Sequence, residues 1–373
     1  MSFAPLTAYL DSLHDEGVPG LEILVCRNQE TVYAHLAGER SPGVPLSSPA
    51  LYRFYSMTKP LTMTLTMQQI ERGHLRLQDP VSAYLPAYAH LTVRDGEEVR
   101  EARGVLTVEH LMAMQGGLDY DTQASEIQKV VQLHGGNAST MEVADALAAR
   151  PLHFDPGCGF RYSLCHDVLG AVLEAATGKT LSQLARENIF DPLEVEDLTF
   201  HPTPAQRASL ASQYLWTEEG RAVEVENEME PLFSMPRYES GGAGLMGSIA
   251  GYMRFADALS CGGVAENGVH ILSPESIAEM ARNRQSGQAM DDFRKIGHKR
   301  GYGYGLGVRT LLDPASSRSP LGEFGWDGAA GAYVLMDPSN RITIVYAQHV
   351  LNMNQAYYVF HPRIRDLVYE ALL

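Results

Sequence analysis

Ser56-Met57-Thr58-Lys59 decides how this chain is read. The four residues spell S-x-x-K and stand at the head of a helix-like run from Ser56 to Arg72 that Gly73 terminates. Pro60 fits a helix only within its first turn, where its missing N–H has no intrahelical partner to lose. The helix start is therefore fixed within a residue or two of Ser56. A serine and a lysine three apart on a helix project from one face. That spacing sets an amine beside a hydroxyl, and serine is a weak nucleophile until a neighbour takes its proton. The motif alone also fits an exposed helix capped by Ser, so the rest of the chain must decide.

Outward from the motif, both ends of the chain read as strands and the middle as helices. Residues 6–16 form a predicted helix closed by Gly17-Val18-Pro19-Gly20. Leu21 to Cys26 and Thr31 to Leu36 are predicted strands around the polar turn Arg27-Asn28-Gln29-Glu30. Predicted helices follow over 108–114, 140–149, 167–177, with Gly178 as cap, 181–189 and 275–283. Strands return at 304–310, 333–336 and 342–348, before a last helix from about Pro362 to Leu373. The alternation of Gly301, Gly303, Gly305 and Gly307 with Tyr302, Tyr304 and Leu306 reads as a strand rather than a dinucleotide loop. The expected architecture is α/β (α+β): a sheet built from both termini, residues 1–75 and 236–373, with 76–235 as a mainly helical insertion and the active site between them.

Composition narrows the function. The 373 residues carry a net charge of −16, which argues against a nucleic-acid partner. No apolar run is long enough for a membrane span. Met1-Ser2-Phe3-Ala4-Pro5 lacks the features of a signal peptide, and Cys26, Cys158, Cys165 and Cys261 read as reduced thiols, so a cytoplasmic location is expected. Cys158, Cys165 and His166 lack the second half of a zinc pattern, and no metal site is expected. H-E-x-x-H, Walker and G-x-S-x-G motifs are missing.

A Ser–Lys pair needs a second proton-transfer group, donors for an oxyanion and a wall for the acyl group. Phe154-Asp155-Pro156-Gly157 precedes Phe160-Arg161-Tyr162-Ser163-Leu164, and Gly325-Trp326-Asp327-Gly328-Ala329-Ala330-Gly331 lies between predicted strands. With Asp79-Pro80-Val81, Tyr84-Leu85-Pro86, Leu106 to Leu111, Gly116-Gly117-Leu118, Phe190-Asp191-Pro192-Leu193 and Gly241 to Leu245, the chain resembles, from about Gly17 to His349, the class C-like serine β-lactamase and penicillin-recognising superfamily. Within it the likeness is to family VIII carboxylesterases and related acyltransferases.

The resemblance implies a β-lactamase/transpeptidase-like fold: a central antiparallel sheet flanked by helices, plus the helical insertion. It implies Ser56 as acylated nucleophile, Lys59 as its proton partner and Tyr162 as the second acid/base group. Two coupled groups titrate as a pair, so neither is singled out as the base. The oxyanion hole falls to the backbone N–H groups of Ser56 and Ala329. Trp326, Gly328 and Leu164 fall to substrate binding, and no cofactor is implied. Asp327, a carboxylate that would oppose an oxyanion, is expected to point away.

Two departures bear on substrate. Leu164 stands where β-lactamases carry Asn, and Trp326 where they carry Lys. Neither can hydrogen-bond the amide or pair with the carboxylate of a β-lactam, so a neutral small-molecule ester is the expected substrate. Gln115-Gly116-Gly117 departs from the usual turn, and a loop change without catalytic meaning is expected there. Pocket walls are expected from 123–136, 214–235 and 285–300, with Trp216, Met229, Phe233, Met235 and Tyr238 as wall or core.

Overall fold

A computed structural model describes residues 2–225 and 231–373; Met1 and Met229 lie outside them. Eight strands form the main sheet: β1 (Gly20–Arg27), β2 (Glu30–Ser41), β3 (Val44–Pro45), β4 (Tyr302–Tyr304), β5 (Arg309–Leu311), β6 (Phe324–Asp327), β7 (Tyr333–Asp337) and β8 (Ile342–Gln348). Their spatial order is β4-β5-β6-β7-β8-β1-β2-β3, antiparallel throughout. The two ends of the chain meet where β1 pairs with β8, Ile23 opposite Tyr346 and Val25 opposite Ile344. The sheet built from both termini is thus present, in the β-lactamase/transpeptidase-like arrangement.

Every residue of β8 is buried, because helices cover both faces of the sheet. The period-two alternation of a strand sorts its side chains. Ile342, Ile344 and Tyr346 join Tyr333 and Leu335 of β7 in one core, with Leu6 and Leu10 of helix α1 (Ala4–Ser12) and residues of the C-terminal helix His361–Leu372. Val345, Ala347, Val334 and Met336 point the other way, into the larger core with Phe255, Ala256 and Leu259 of the helix Ile249–Ser260. Thr343 on that side hydrogen-bonds Asp257 at 2.8 Å and Ser260 at 2.7 Å.

The helix carrying the motif, α2 (Thr58–Glu71), runs through this larger core, with its first twelve residues buried. Its threonines satisfy their hydroxyls on backbone carbonyls: Thr64 on Pro60 at 2.9 Å, Thr66 on Thr62 at 2.8 Å and Thr62 on Gly241 at 2.8 Å. That chemistry is how a polar-looking sequence makes a buried helix. A 3₁₀ turn, Tyr55–Met57, precedes it, and Pro60 is its third residue. Cys165–Thr177 forms the next large helix, α3, capped by Gly178 in the left-handed region at φ +69°.

The expected strand over 304–310 is instead a hairpin. Gly305 to Val308 turn, and Arg309 comes back opposite Tyr304. A Cβ at Gly305 would lie 2.1 Å from the Met280 carbonyl oxygen, and Gly307 has φ +71°. These glycines serve close approach and reversal rather than a pleat. The expected helix over 181–189 is regular only for Leu181–Ala185 and widens to a π-turn over Arg186–Phe190.

Candidate active site

Tyr55 precedes the nucleophile in the left-handed region, φ +46°, an uncommon place for a residue with a side chain. Contacts on both flanks hold it there. Thr58 Oγ1 donates to the Tyr55 carbonyl at 2.6 Å and accepts from the Leu245 N–H at 3.0 Å. The Tyr252 hydroxyl donates to the Met57 carbonyl at 2.7 Å. The strained turn presents Ser56, half-buried, at the edge of the larger core.

Lys59 is fully buried. Its Nζ lies 3.1 Å from Ser56 Oγ and donates to the Gly242 carbonyl at 2.8 Å. Tyr162 donates to Ser56 Oγ at 2.7 Å. The three residues assigned to catalysis are therefore in mutual contact, although Tyr162 arrives from the helical middle of the chain. Lys59 Nζ also sits 4.6 Å from the centre of the Tyr162 ring and 5.8 Å from that of Tyr120, a spacing in the range of cation–π contacts.

Tyr162 is the middle plate of an aromatic stack. Tyr120 lies on one side and Trp326 on the other, each with ring centres 5.7 Å away. Trp326 Nε1 donates to the Tyr162 hydroxyl oxygen at 3.2 Å. Trp326, on β6, is 5% exposed and rests edge-on against Tyr304. Leu164 is completely buried at the head of α3 and offers no surface to a ligand.

Gly328 explains how β6 reaches the nucleophile. A Cβ there would lie 2.4 Å from the Phe54 carbonyl oxygen, so only glycine permits the approach. Ala329, one residue on, is exposed. Among the described residues no backbone acceptor takes the N–H of Ser56 or of Ala329. Free N–H donors beside a nucleophile are what an oxyanion requires.

Asp327 turns from the nucleophile into a buried charge cluster, where Lys299 bonds it directly. Arg309 Nη1 stands 3.5 Å from its carboxylate and His361 Nδ1 4.0 Å. Burial alone would raise the carboxyl pKa, but Lys299, Arg309 and His361 outweigh it and hold it well below the usual range. Burial draws the Lys299 ammonium down to about 8 despite Asp327. Lys299 also lies 5.2 Å from the Trp326 ring centre.

Tyr120, the Gly242 carbonyl, Lys299 and Asp167 escaped the sequence reading. Asp167, fully enclosed near Lys59, accepts from Tyr238 at 2.9 Å and Ser240 at 2.5 Å, and burial raises its pKa. A carboxylate one turn into a helix beside a tyrosine motif was the available signal. The others come from loops whose course no local pattern records. Of the expected wall residues, Trp216 packs in the outer core beside Gly17, away from Ser56. Phe233 stacks on Tyr238 and, like Tyr55, packs against the small core of Leu51, Leu210 and Met246. Phe233 and Met235 line a cavity of about 650 Å³ with Phe200, Arg53 and Met246. Gln115 bonds the Arg284 carbonyl and the Gln285 side chain, tying its turn to the 285–300 segment.

Comparison with known proteins agrees with this fold. The family model described as Beta-lactamase matches residues 6–367. Protein Rv1367c of Mycobacterium tuberculosis is 30% identical, covering 88% of this chain and 84% of its own. Esterase EstB of Burkholderia gladioli is 28% identical over 92% of this chain and 90% of its own. The solved structure of EstCE1, described as a hydrolase with promiscuous acyltransferase activity, superposes with a TM-score of 0.82 at 26% identity, covering 98% of each chain. A shared fold, a family match along nearly the whole length and an esterase among the relatives converge on one conclusion: the chain belongs to the Beta-lactamase family and is a serine hydrolase of that family.

Proposed function

We propose that the protein is a carboxylesterase that works through an acyl-enzyme on Ser56. The observation that carries this reading is Ser56 Oγ held between Lys59 Nζ at 3.1 Å and the Tyr162 hydroxyl at 2.7 Å. In the state of the pair in which one of Lys59 and Tyr162 has given up its proton, Ser56 attacks the ester carbonyl as its own proton passes to that vacancy. The N–H groups of Ser56 and Ala329 hold the oxyanion. The alcohol leaves with a proton from the same pair, and water then deacylates Ser56 by the reverse traffic of protons.

Trp326 in place of a lysine removes the partner for an acidic substrate group and supports a neutral ester. The apolar side chains Phe233, Met235, Phe200 and Met246 that line the cavity of about 650 Å³ make it a candidate for the acyl chain. A second reading, acyl transfer to an alcohol, shares every step up to deacylation, and the EstCE1 likeness favours keeping it. Four free cysteines fit a reducing compartment, and we place the activity in the cytoplasm. Among the described residues no helix is long and apolar enough to cross a membrane.

The test is mass spectrometry of the protein quenched with a slow p-nitrophenyl ester, followed by product analysis with added alcohol. An acyl mass on the peptide containing Ser56 is expected. Full turnover by Ser56→Ala, with no adduct on the parent, rejects the reading. Transfer to alcohol beyond its share of the solvent selects acyltransferase over hydrolase.

A further inference from the structure

The turn that carries Ala329 is gripped from behind by the C-terminal helix. The segment Ala356–Phe360 is a π-turn that runs directly into the helix His361–Leu372. It brings Tyr357 and His361 to the same turn of chain, Gly328 to Gly331. The Tyr357 hydroxyl reaches the Gly328 carbonyl oxygen at 2.9 Å and the Ala329 carbonyl oxygen at 2.8 Å, sharing its one proton between them. His361 Nε2 meets the Gly331 carbonyl at 3.0 Å. The Gly328 oxygen also accepts from the Gly331 N–H at 3.0 Å, and the Gly328 N–H donates to Ala332 at 2.8 Å.

The Gly328 carbonyl and the Ala329 N–H belong to one peptide unit. In a planar trans peptide the two point in opposite directions. A donor that fixes the carbonyl on one side therefore fixes the aim of the N–H on the other. Withdrawing electron density at the oxygen also makes the N–H of the same unit a stronger donor, the ordinary polarisation of a hydrogen-bonded chain. Both effects act on the group assigned to the oxyanion, in a site where preorganised donors need no rearrangement during reaction. Burial keeps the Tyr357 hydroxyl protonated, hence a donor.

We propose that Tyr357 is a positioning residue for the oxyanion hole: through its hydrogen bonds to the Gly328 and Ala329 carbonyls it aims and strengthens the Ala329 N–H. The proposal rests on the acyl-enzyme reading above. It places a determinant of rate in the last turn before the final helix, about thirty residues beyond the Trp326-Asp327-Gly328 segment in sequence.

The test reads the hole directly. The Ser56 acyl-enzyme is formed from a slow ester carrying a ¹³C carbonyl, and the isotope-shifted carbonyl band is recorded by infrared spectroscopy in the parent and in Tyr357→Phe. Removing the hydroxyl while keeping the ring should move the band to higher wavenumber, since a weaker donor polarises the carbonyl less. kcat should fall about tenfold, less than the loss of an oxyanion donor itself, with KM little changed. Replacing Tyr357 with 3-fluorotyrosine, a stronger donor of nearly equal shape, should move the band the opposite way, and this arm decides if Tyr357→Phe does not fold. Tyr358→Phe, at the exposed neighbour, serves as control. A normal Ser56 adduct whose band is the same in all forms overturns the role of Tyr357 alone. No adduct in the parent overturns the acyl-enzyme reading and this proposal with it.

Discussion

The indole N–H of Trp326 points at the Tyr162 hydroxyl oxygen, 3.2 Å away, while Tyr162 gives its own proton toward Ser56. Trp326 is thus a direct neighbour of the proposed acid/base pair. Trp326→Phe keeps an aromatic plate but removes the donor. It should lower kcat/KM about tenfold, the scale of one hydrogen bond to a polar partner, with the larger share in kcat. Trp326→Ala should cost more through lost packing. Unchanged kcat in Trp326→Phe would dismiss the hydrogen bond as a contributor.

The proposed proton traffic through Lys59 and Tyr162 predicts strongly non-additive losses. Lys59→Met and Tyr162→Phe should each reduce kcat by about 10²–10⁴, the usual contribution of a positioned acid/base group. The double variant should be little worse than the poorer single, because both act on one proton. Steady-state kinetics on a p-nitrophenyl ester measure this, and losses that multiply would separate the two roles.

His166, buried on α3 beside Lys59, supplies a pH signature. Burial first, and then the Lys59 charge, lower its pKa to about 3, while its Nε2 meets the Met112 carbonyl at 3.1 Å. Below the ordinary histidine range the unfolded chain binds a proton that the folded chain refuses, so stability falls as pH drops from 6.5 toward 3. His166→Gln lacks this titration. The stability difference between parent and variant should therefore shift against the parent by roughly 2 kcal/mol between pH 7 and pH 5. Chemical denaturation at the two pH values tests it, and a constant difference would refute it.

Lys299 and Asp327 form a buried pair that should tolerate joint substitution better than the loss of Lys299 alone. Lys299→Met leaves a buried carboxylate with Arg309 and His361 but no direct partner, and should cost about 3–5 kcal/mol. Lys299→Met combined with Asp327→Asn should recover a substantial part, as a double-mutant cycle would show. Additive losses would mean that the two side chains act independently.

Gly328→Ala tests the close approach of β6. The added Cβ, 2.4 Å from the Phe54 carbonyl oxygen, must push the two segments apart. Displacements of this size can cost about 10²-fold in rate. The expected result is a folded protein, judged by its melting transition, that acylates Ser56 far more slowly than the parent.

The sequence was a good guide wherever chemistry is local. Pro60 limited the start of α2, Gly178 marked the end of α3, and the apolar runs of β1 and β8 announced themselves as strands. S-x-x-K and the tyrosine after the Pro-Gly element led to three side chains that do touch. What was not legible depends on paths through space. Glycines that alternate like a strand turned out to be the hairpin at 305–308, because the Met280 backbone must pass close by. Leu164, expected at the substrate, is fully buried, since the head of α3 turns its side chain inward. Tyr120, Lys299 and Tyr357 reach the site from three separate segments, and no periodicity ties any of them to Ser56.

The pairing of β1 with β8 also has a bearing on how the protein is made. Ser56 and Lys59 leave the ribosome well before Trp326 and Tyr357, which follow roughly 270 and 300 residues later, and domains fold during synthesis as their parts emerge. The strand that completes the sheet against β1 appears more than three hundred residues after it. A chain arrested before residue 342 therefore exposes β1 as an unpaired apolar edge and carries its reactive serine without the Ile342–Gln348 strand that closes the sheet. Newly made protein should gain the proposed activity in one step after Ile342–Gln348 has emerged, rather than gradually along translation.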